Sequence, residues 1–459
     1  MKNIRFLIAL WAAKLSIVAL KITRHNGTNF PGAVALKLCP SFLKMVNKPA
    51  KIIGVTGTNG KTTVCNLARD MFKADGRVVL DNNMGSNIDS GIATTFINGV
   101  NVLGKCKYDT ALIEIDERSA PLVFPAFSPE ILLINNLTRD SIMRNGHPEY
   151  IGRILTEEMP EETRLLINGD DLIASGIAPE NERKYFGIDK MDTDVEECIN
   201  LINDMQICPK CNGKLKYNYL RYHHIGNAFC PQCGFKSPEY DYKASDVNVD
   251  DMSIVLTDSQ GSCKYRLLND SVFNIYNVVA VVALFRELGY SHQRICQLLE
   301  QIEIVKSRFS EKKVGCDTIG RQMSKDKNAL GASRAFDYVS GRDGDKELIL
   351  MMNCLGDTKH WSENICWLYD ADFEFLNKEN IKNIIVTGPR AKDYYLRLKI
   401  AGVADEKITF VEKELEAPKA LKLYANESIY VFYGTDSIVL GNNVVANIEK
   451  EIAERGEIQ

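Results

Sequence analysis

Between Lys51 and Val64 the chain reads KIIGVTGTNGKTTV, the stretch that most restricts what it can fold into. The apolar run Ile52-Ile53-Gly54-Val55 predicts a buried strand. Thr56 to Thr63 is a small, glycine-punctuated turn, and Val64 to Phe72 predicts a helix. Strand, glycine turn and helix together make a phosphate-binding loop. Small residues let the backbone curl until several N–H groups point at one anion, and the helix N-terminus adds partial positive charge. Gly57, Thr58, Asn59, Gly60, Lys61, Thr62 and Thr63 are therefore the candidate nucleotide contacts. Lys61 can reach the terminal phosphates, and the Thr62 hydroxyl can ligate Mg²⁺. Gly54 lies six residues before Gly60, one more than the usual spacing. The competing reading is an ordinary glycine turn ahead of a helix.

A chain of 459 residues has room for two or three domains. A formal charge of -4 gives no footprint for nucleic acid. Thirteen cysteines beside a nucleotide loop imply a reducing, cytoplasmic setting, where paired cysteines more often hold metal than form disulfides.

Phe6 to Ile22 is apolar enough to suggest a signal peptide or a membrane span, but Lys14 interrupts it and no cleavage site follows. Its uncharged part, Phe6 to Ala13, is too short to cross a bilayer. A helix with Lys14 and Lys21 on one face is expected, either packed on the protein or resting on the cytoplasmic face of the membrane. Beyond the loop, strands are expected at Arg77–Leu80, Thr110–Ile115 and Ile131–Ile134. The expected strand Thr110–Ile115 runs into Glu114-Ile115-Asp116-Glu117, and carboxylates at the C-terminal edge of a parallel strand sit where such sheets bind ligands. Glu114 is thus the expected Mg²⁺ partner, against a solvated strand-end carboxylate. Polar groups also follow Ile134, in Asn135 to Asp140, and Ile167. Strands alternating with helices argue for a mainly parallel sheet covered on both faces.

Cys208-Pro209-Lys210-Cys211 and Cys230-Pro231-Gln232-Cys233 bracket eighteen residues, the spacing of a zinc ribbon. Four thiolates close the Zn²⁺ tetrahedron, so its role is expected to be structural. Lys214 to His223 suits a β-hairpin arm, and His223 and His224 are expected at the surface rather than as ligands. Strands at Ser253–Leu256 and Lys264–Leu267 follow, which makes the ribbon an insertion within one domain. Asn274 and Asn277 share a face of the next helix, either to read an adenine edge or to cap the helix start. From Lys306 the pattern changes to a second α/β domain, with strands at Glu347–Met352, Ile384–Thr387 and Ser428–Phe432.

The TGTNGKTT loop resembles the ATP loop of the Mur ligase superfamily, which joins amines to carboxylates through acyl phosphates. With the four-cysteine insert, NNMGSNIDSGIATT, NLTRDSIMRNG, FNIYNVVAVVAL, WLYDADFE and TGPRAKDYYLRLKIAG, the chain resembles, over essentially its whole length, the MurT family, the Mur-ligase-like subunits of lipid II isoglutaminyl synthase. That resemblance implies an α/β fold. A Mur-ligase-type ATPase domain at 50–304, with the zinc ribbon inserted at 206–236, follows an N-terminal helical segment at 1–49 and precedes a smaller α/β domain at 305–459. It implies ATP-dependent amidation of the D-glutamate α-carboxylate in the lipid II stem peptide, giving D-isoglutamine. Ammonia would come from a separate GatD-like glutaminase subunit. Lys61, Thr62, Glu114, Asn274 and Asn277 match as ATP and Mg²⁺ contacts, and Arg308 matches an arginine facing the nucleotide. An Asp of the last domain is expected near the partner's active site: Asp370 first, then Asp357 and Asp372. Two departures stand out. Ala329 replaces a proline after Lys327-Asn328, and Asn364 replaces an Asp in the acidic run before Asp370. The rival readings are a stand-alone Mur ligase adding an amino acid, and a non-catalytic zinc-ribbon assembly subunit.

Overall fold

The computed structural model describes residues 4–25, 27–83, 86–139, 146–302, 309–324, 328–352, 365–424, 427–434 and 437–456. The chain forms two compact units. The first holds Met1–Thr138, His147–Ile199 and Asn203–Glu303; the second holds Arg139–Gly146, Asn200–Ile202 and Ile304–Gln459.

The sheet of the first unit is built from β1 (Lys51–Thr56), β2 (Leu80–Asp81), β3 (Thr110–Glu114), β4 (Ile131–Ile134), β5 (Arg164–Asn168) and β6 (Arg183–Ile188). A separate hairpin, β7 (Lys216–Tyr222) and β8 (Ile225–Phe229), interrupts it, and it resumes with β9 (Tyr242–Asn248), β10 (Ser253–Asp258) and β11 (Gly261–Arg266). The order is β11-β10-β9-β6-β5-β4-β1-β3-β2. Pairing is parallel from β2 through β9 and antiparallel across β9, β10 and β11. β1 sits between β3 and β4, so the chain changes direction across the sheet at β1, and ligands bind such sheets beyond the strand ends at that point.

Alternate side chains of the strands fill two layers. Ile52, Ala111, Ile113, Leu132, Ile134, Leu165 and Ile167 pack with Phe96 and Ile97 of the helix Asp89–Gly99 and with the N-terminal helices. The opposite face carries the helices Lys61–Ala74 and Val272–Glu287, joined by Phe72 and Phe285 with ring centroids 4.9 Å apart. The expected strand at Arg77 starts only at Leu80. The Arg77 N–H closes the preceding helix on the Phe72 carbonyl (2.8 Å), and its guanidinium lies over the Phe72 ring.

The N-terminal helix Ile4–Ile22 buries Phe6, Ala9, Leu10 and Ala13 against the first unit. Lys14 donates to the Ile97 and Val100 carbonyls (2.8 and 2.7 Å), a cation on the C-terminal end of the helix Asp89–Gly99. The following helix, Phe30–Leu38, crosses that same helix so closely that a Cβ on Gly32 would lie 1.8 Å from the Ser90 carbonyl oxygen. Only glycine permits that crossing.

The four-cysteine insert lies between β6 and β9, which pair directly, so the sheet is continuous across it. The expected hairpin arm at Lys214–His223 supplies only the first strand; its partner is Ile225–Phe229. His223 and His224, expected at the surface, are instead buried at the hairpin turn. The His224 Nε2 lies 3.3 Å from the buried Asp171 carboxylate, which gives the imidazole a polar partner inside the protein.

The second unit has the strands β12 (Phe309–Val314), β13 (Asp317–Ser324), β14 (Lys346–Met351), β15 (Ile381–Thr387), β16 (Ile408–Val411) and β17 (Ser428–Gly434), in the order β12-β13-β17-β14-β15-β16. All pairs but β12–β13 are parallel. Leu348, Leu350, Ile384, Val386 and Phe432 face the helices Ala329–Gly341 and Ala391–Ile400. Ile349, Met351, Ile385 and Val431 face Val444, Val445 and Ile448 of the helix Ile438–Gly456.

Candidate active site

The loop after β1 is a curl held by the run that follows β4. The Thr58 N–H donates to the Asn136 carbonyl (2.8 Å), and the Asn59 N–H donates to the Asn136 side chain (2.9 Å). The Asn59 carbonyl accepts from the Asn135 and Asn136 amides (3.0 and 2.9 Å). The Thr58 hydroxyl donates to the Thr138 carbonyl (2.9 Å). The polar run after β4 is therefore the wall that shapes the loop. Beneath it, Asn277 of the helix Val272–Glu287 accepts from Asn135 Nδ2 at 2.9 Å.

Gly60 starts the helix Lys61–Ala74 with φ +86°, in the left-handed region. A Cβ there would lie 2.3 Å from Asn135 Nδ2 and 2.4 Å from Asn277 Oδ1. Gly60→Ala combines a left-handed alanine, which costs about 1–2 kcal/mol, with displacement of the Asn135–Asn277 bond. ATP affinity measured by calorimetric titration is expected to fall about tenfold or more; unchanged affinity would show that the curl does not hold nucleotide.

Lys61 points back over the loop. Its Nζ donates to the Gly57 carbonyl (2.5 Å) and to Glu117 Oε1 (2.8 Å), and the same carboxylate accepts from the Gly57 N–H (2.9 Å). Both side chains are mostly buried, 11% and 6% exposed. Burial alone would lower the Lys61 pKa; Glu117, with Asp116 and Glu114 behind it, outweighs burial, and the pKa is raised. Glu114 is half-buried at the end of β3, where its Oε1 accepts from Asn87 Nδ2 (3.0 Å). A triphosphate entering this loop meets one ammonium and three carboxylates, so a divalent cation is needed to balance charge. Thr62 and Glu114 offer the hard oxygen donors that suit Mg²⁺.

Glu117 is the side chain the sequence reading passed over. It sits three residues past Glu114, and only the turn after β3 shows that it reaches Lys61. The two helix asparagines part company. Asn277 braces the loop, while the Asn274 amide donates to Asn269 Oδ1 (3.0 Å) and Ser271 Oγ (2.8 Å) at the helix start. Arg308, Lys327, Asp357 and Asn364 lie outside the described residues. Within the second unit, Asp370 ends the helix Trp367–Asp370, is 24% exposed at its side chain and stands 3.9 Å from Arg139. Asp372 is buried, its carboxylate accepting from the Leu201 N–H (2.6 Å) and the Asn200 amide (2.9 Å).

The sulfurs of Cys208, Cys211, Cys230 and Cys233 all lie within 4.8 Å of one another. Two of the edges, Cys208–Cys233 and Cys211–Cys230, measure 3.6 and 3.5 Å. A zinc tetrahedron with ~2.3 Å Zn–S bonds has S···S edges of about 3.8 Å, so the four thiols fit the ion. The two cysteine pairs are built alike. The Cys208 N–H donates to the Gly213 carbonyl (2.8 Å), and the Cys230 N–H to the Phe235 carbonyl (2.7 Å). Asn212 and Gly234, each directly after a second cysteine, both turn with positive φ.

From β7, Arg221 reaches toward the end of β5 and the helix Val272–Glu287. It bonds Asp194 (2.7 Å), Asp170 (3.2 Å) and the Tyr276 hydroxyl (2.5 Å), whose side chains are buried with its own. The ribbon arm and the helix that braces the phosphate loop thus share one buried ion network.

Residues 55–228 match the Mur ligase middle domain, and residues 326–435 match the MurT ligase C-terminal domain. The lipid II isoglutaminyl synthase (glutamine-hydrolyzing) subunit MurT of Staphylococcus aureus (strain COL) is 31% identical over 402 residues, 86% of this chain and 88% of the relative. The chain belongs to the MurT family. The MurT subunit of Streptococcus pneumoniae is 29% identical over 89% of each chain. Among solved structures, a pseudomurein peptide ligase type C from Methanothermus fervidus aligns with TM-score 0.65 at 20% identity, covering 89% of this chain and 81% of that one. MurF from Thermotoga maritima, solved with ADP, aligns with TM-score 0.59 at 14% identity over 93% and 85%. At those identities the likeness establishes the Mur ligase fold.

Proposed function

We propose that this MurT-family chain is the synthetase subunit of a glutamine-hydrolysing lipid II isoglutaminyl synthase. The observation that carries the reading is Lys61, held over a glycine curl beside Glu117, Asp116 and Glu114, in a chain 31% identical to a MurT subunit. The ATPase domain spans 50–304 and the C-terminal domain 305–459. The N–H groups of 57–63 wrap the triphosphate. Lys61 moves from Glu117 onto the phosphoryl oxygens as negative charge builds there. Thr62 and Glu114 would hold Mg²⁺, which supplies further positive charge against the β- and γ-phosphates. Asn277 serves the nucleotide by keeping the loop in shape.

A carboxylate resists ammonia because its carbon is electron-rich and its leaving group poor. One oxygen of the D-glutamate α-carboxylate attacks the γ-phosphorus and ADP departs, leaving an acyl phosphate. Ammonia then adds to the carbonyl carbon, loses a proton and expels phosphate, giving the α-amide of D-glutamate, which is D-isoglutamine. A GatD-like subunit provides the ammonia from glutamine, and Asp370 is the residue proposed to assist it, because its side chain is 24% exposed whereas Asp372 is buried. Arg308 is the proposed second nucleotide contact. The four cysteines hold a structural Zn²⁺. The enzyme works in the cytoplasm, at the inner face of the membrane where its lipid-linked substrate lies.

The test is reconstitution. The chain is mixed with a glutaminase-like subunit, Mg·ATP, lipid II and glutamine labelled at its side-chain nitrogen. Mass spectrometry is expected to find a carboxyl OH of the stem peptide exchanged for labelled NH2. Attachment of a whole amino acid, or no product together with no ATP turnover, would overturn the reading.

A further inference from the structure

The helix Ile4–Ile22 has two apolar faces and spends only one of them on the core. Phe6, Ala9, Leu10 and Ala13 are fully buried. Ile4, Ile8, Trp11, Leu15, Val18 and Ile22 are all exposed, from 48% to 76%. Their spacing alternates four and three residues, which at 3.6 residues per turn puts them in one sector of about 80°, opposite the buried side. The stripe is extended sideways by Val102 and Leu103, both more than 60% exposed, on a turn whose Val102 carbonyl accepts from the Trp11 indole (2.8 Å). An apolar surface of this length is not left facing water without an occupant.

Charge says what the occupant is. Residues 1–49 contain eight Lys and Arg and no Asp or Glu, in a chain whose net charge is -4; the first acidic residue is Asp70. Arg5, Lys21 and Arg24 are exposed on the helix or just past it. A second copy packed along the stripe would set basic residues against basic residues, without the opposite charges that flank a helix pair. A negatively charged lipid surface satisfies both features: apolar side chains enter the headgroup boundary and the basic residues meet anionic headgroups. No helix among the described residues is long and apolar enough to cross a membrane.

We propose that the outer face of the helix Ile4–Ile22, with the Val102–Leu103 turn, is a docking surface for an anionic bilayer. It deepens the reading of a membrane-linked substrate but does not need it, since the test uses vesicles that contain no such substrate. The full chain is floated with phosphatidylglycerol–phosphatidylcholine vesicles and with phosphatidylcholine vesicles. Binding to the anionic vesicles is expected to be at least about tenfold stronger and to weaken with salt. Ile8→Glu with Leu15→Glu is expected to lower it at least about tenfold while the melting temperature and the ATP affinity stay as in the parent chain. Should the glutamates disturb folding, Ile8→Ser with Leu15→Ser decides in the same assay. Equal binding to both vesicles, unchanged binding of the variants, or a parent dimer in light scattering that the variants split would overturn the proposal.

Discussion

Lys61→Ala is expected to lower ATP-driven amide formation about a thousandfold or more while leaving the chain folded. Lys61 is the ammonium placed in the mouth of the loop, bonded to Gly57 and Glu117. Three carboxylates surround it, so its removal does more than delete one donor: it leaves the incoming phosphates facing net negative charge. Removing one preorganised group that meets developing transition-state charge costs roughly 10²–10⁵ in rate, and a phosphoryl group transferred beside Glu114, Asp116 and Glu117 belongs toward the higher part of that range. The fold survives because Glu117 keeps the Gly57 N–H, and the loop keeps its bonds to Asn135, Asn136 and Thr138. A loss of about 1–3 kcal/mol in stability is expected from the carboxylate left without its ammonium. The check is amide formation by the reconstituted pair beside a thermal melt of the variant; near-normal product with a normal melt would contradict the role.

Chelation of the proposed zinc, or Cys208→Ser with Cys230→Ser, is expected to unfold the ribbon and to destabilise the first unit by at least about 3 kcal/mol. Four thiols 3.5 to 4.8 Å apart repel as thiolates unless a cation binds them, and little else stabilises the two cysteine turns. Leu172, Leu215 and Ala228 make a small apolar cluster beside Cys208 and Cys230, with Met205, Tyr217 and Phe235 packed against it. The consequence reaches inward through Arg221. With β7 released, Asp170 and Asp194 lose the guanidinium that pairs them, and breaking a buried ion pair costs about 3–5 kcal/mol. Elemental analysis is expected to find one zinc per chain. Hydrogen exchange after chelation should show protection lost across 206–236. Full protection in metal-free protein would show that the sulfurs need no ion.

What could be read from the residues was what chemistry writes locally. The glycine curl and the paired cysteines are short patterns whose spacing dictates their geometry, and both stand where expected. The parallel sheet was legible because buried strands such as Ile131–Ile134 are continuous apolar runs. β9, YKASDVN, escaped because it alternates buried and exposed positions with few apolar residues and is held by its neighbours rather than by its own pattern. The bracing of the loop also escaped. Glu117 is 56 residues from Lys61, and Asn277 is 142 residues from Asn135, so only the folded sheet brings them together. The buried histidines were misjudged for the same reason: His224 looks polar in sequence, and its partner Asp171 lies 53 residues away.

The most direct test of carboxylate activation at the Lys61 loop follows an oxygen atom. Lipid II carrying heavy oxygen in the D-glutamate α-carboxylate is turned over with Mg·ATP, ammonia and this chain, and the released phosphate is weighed by mass spectrometry. Attack of the carboxylate on the γ-phosphorus predicts one heavy oxygen in each phosphate formed, matched to each amide, with no transfer by the Lys61→Ala chain. Phosphate free of the label, while amide still accumulates, would contradict an acyl phosphate made in this loop.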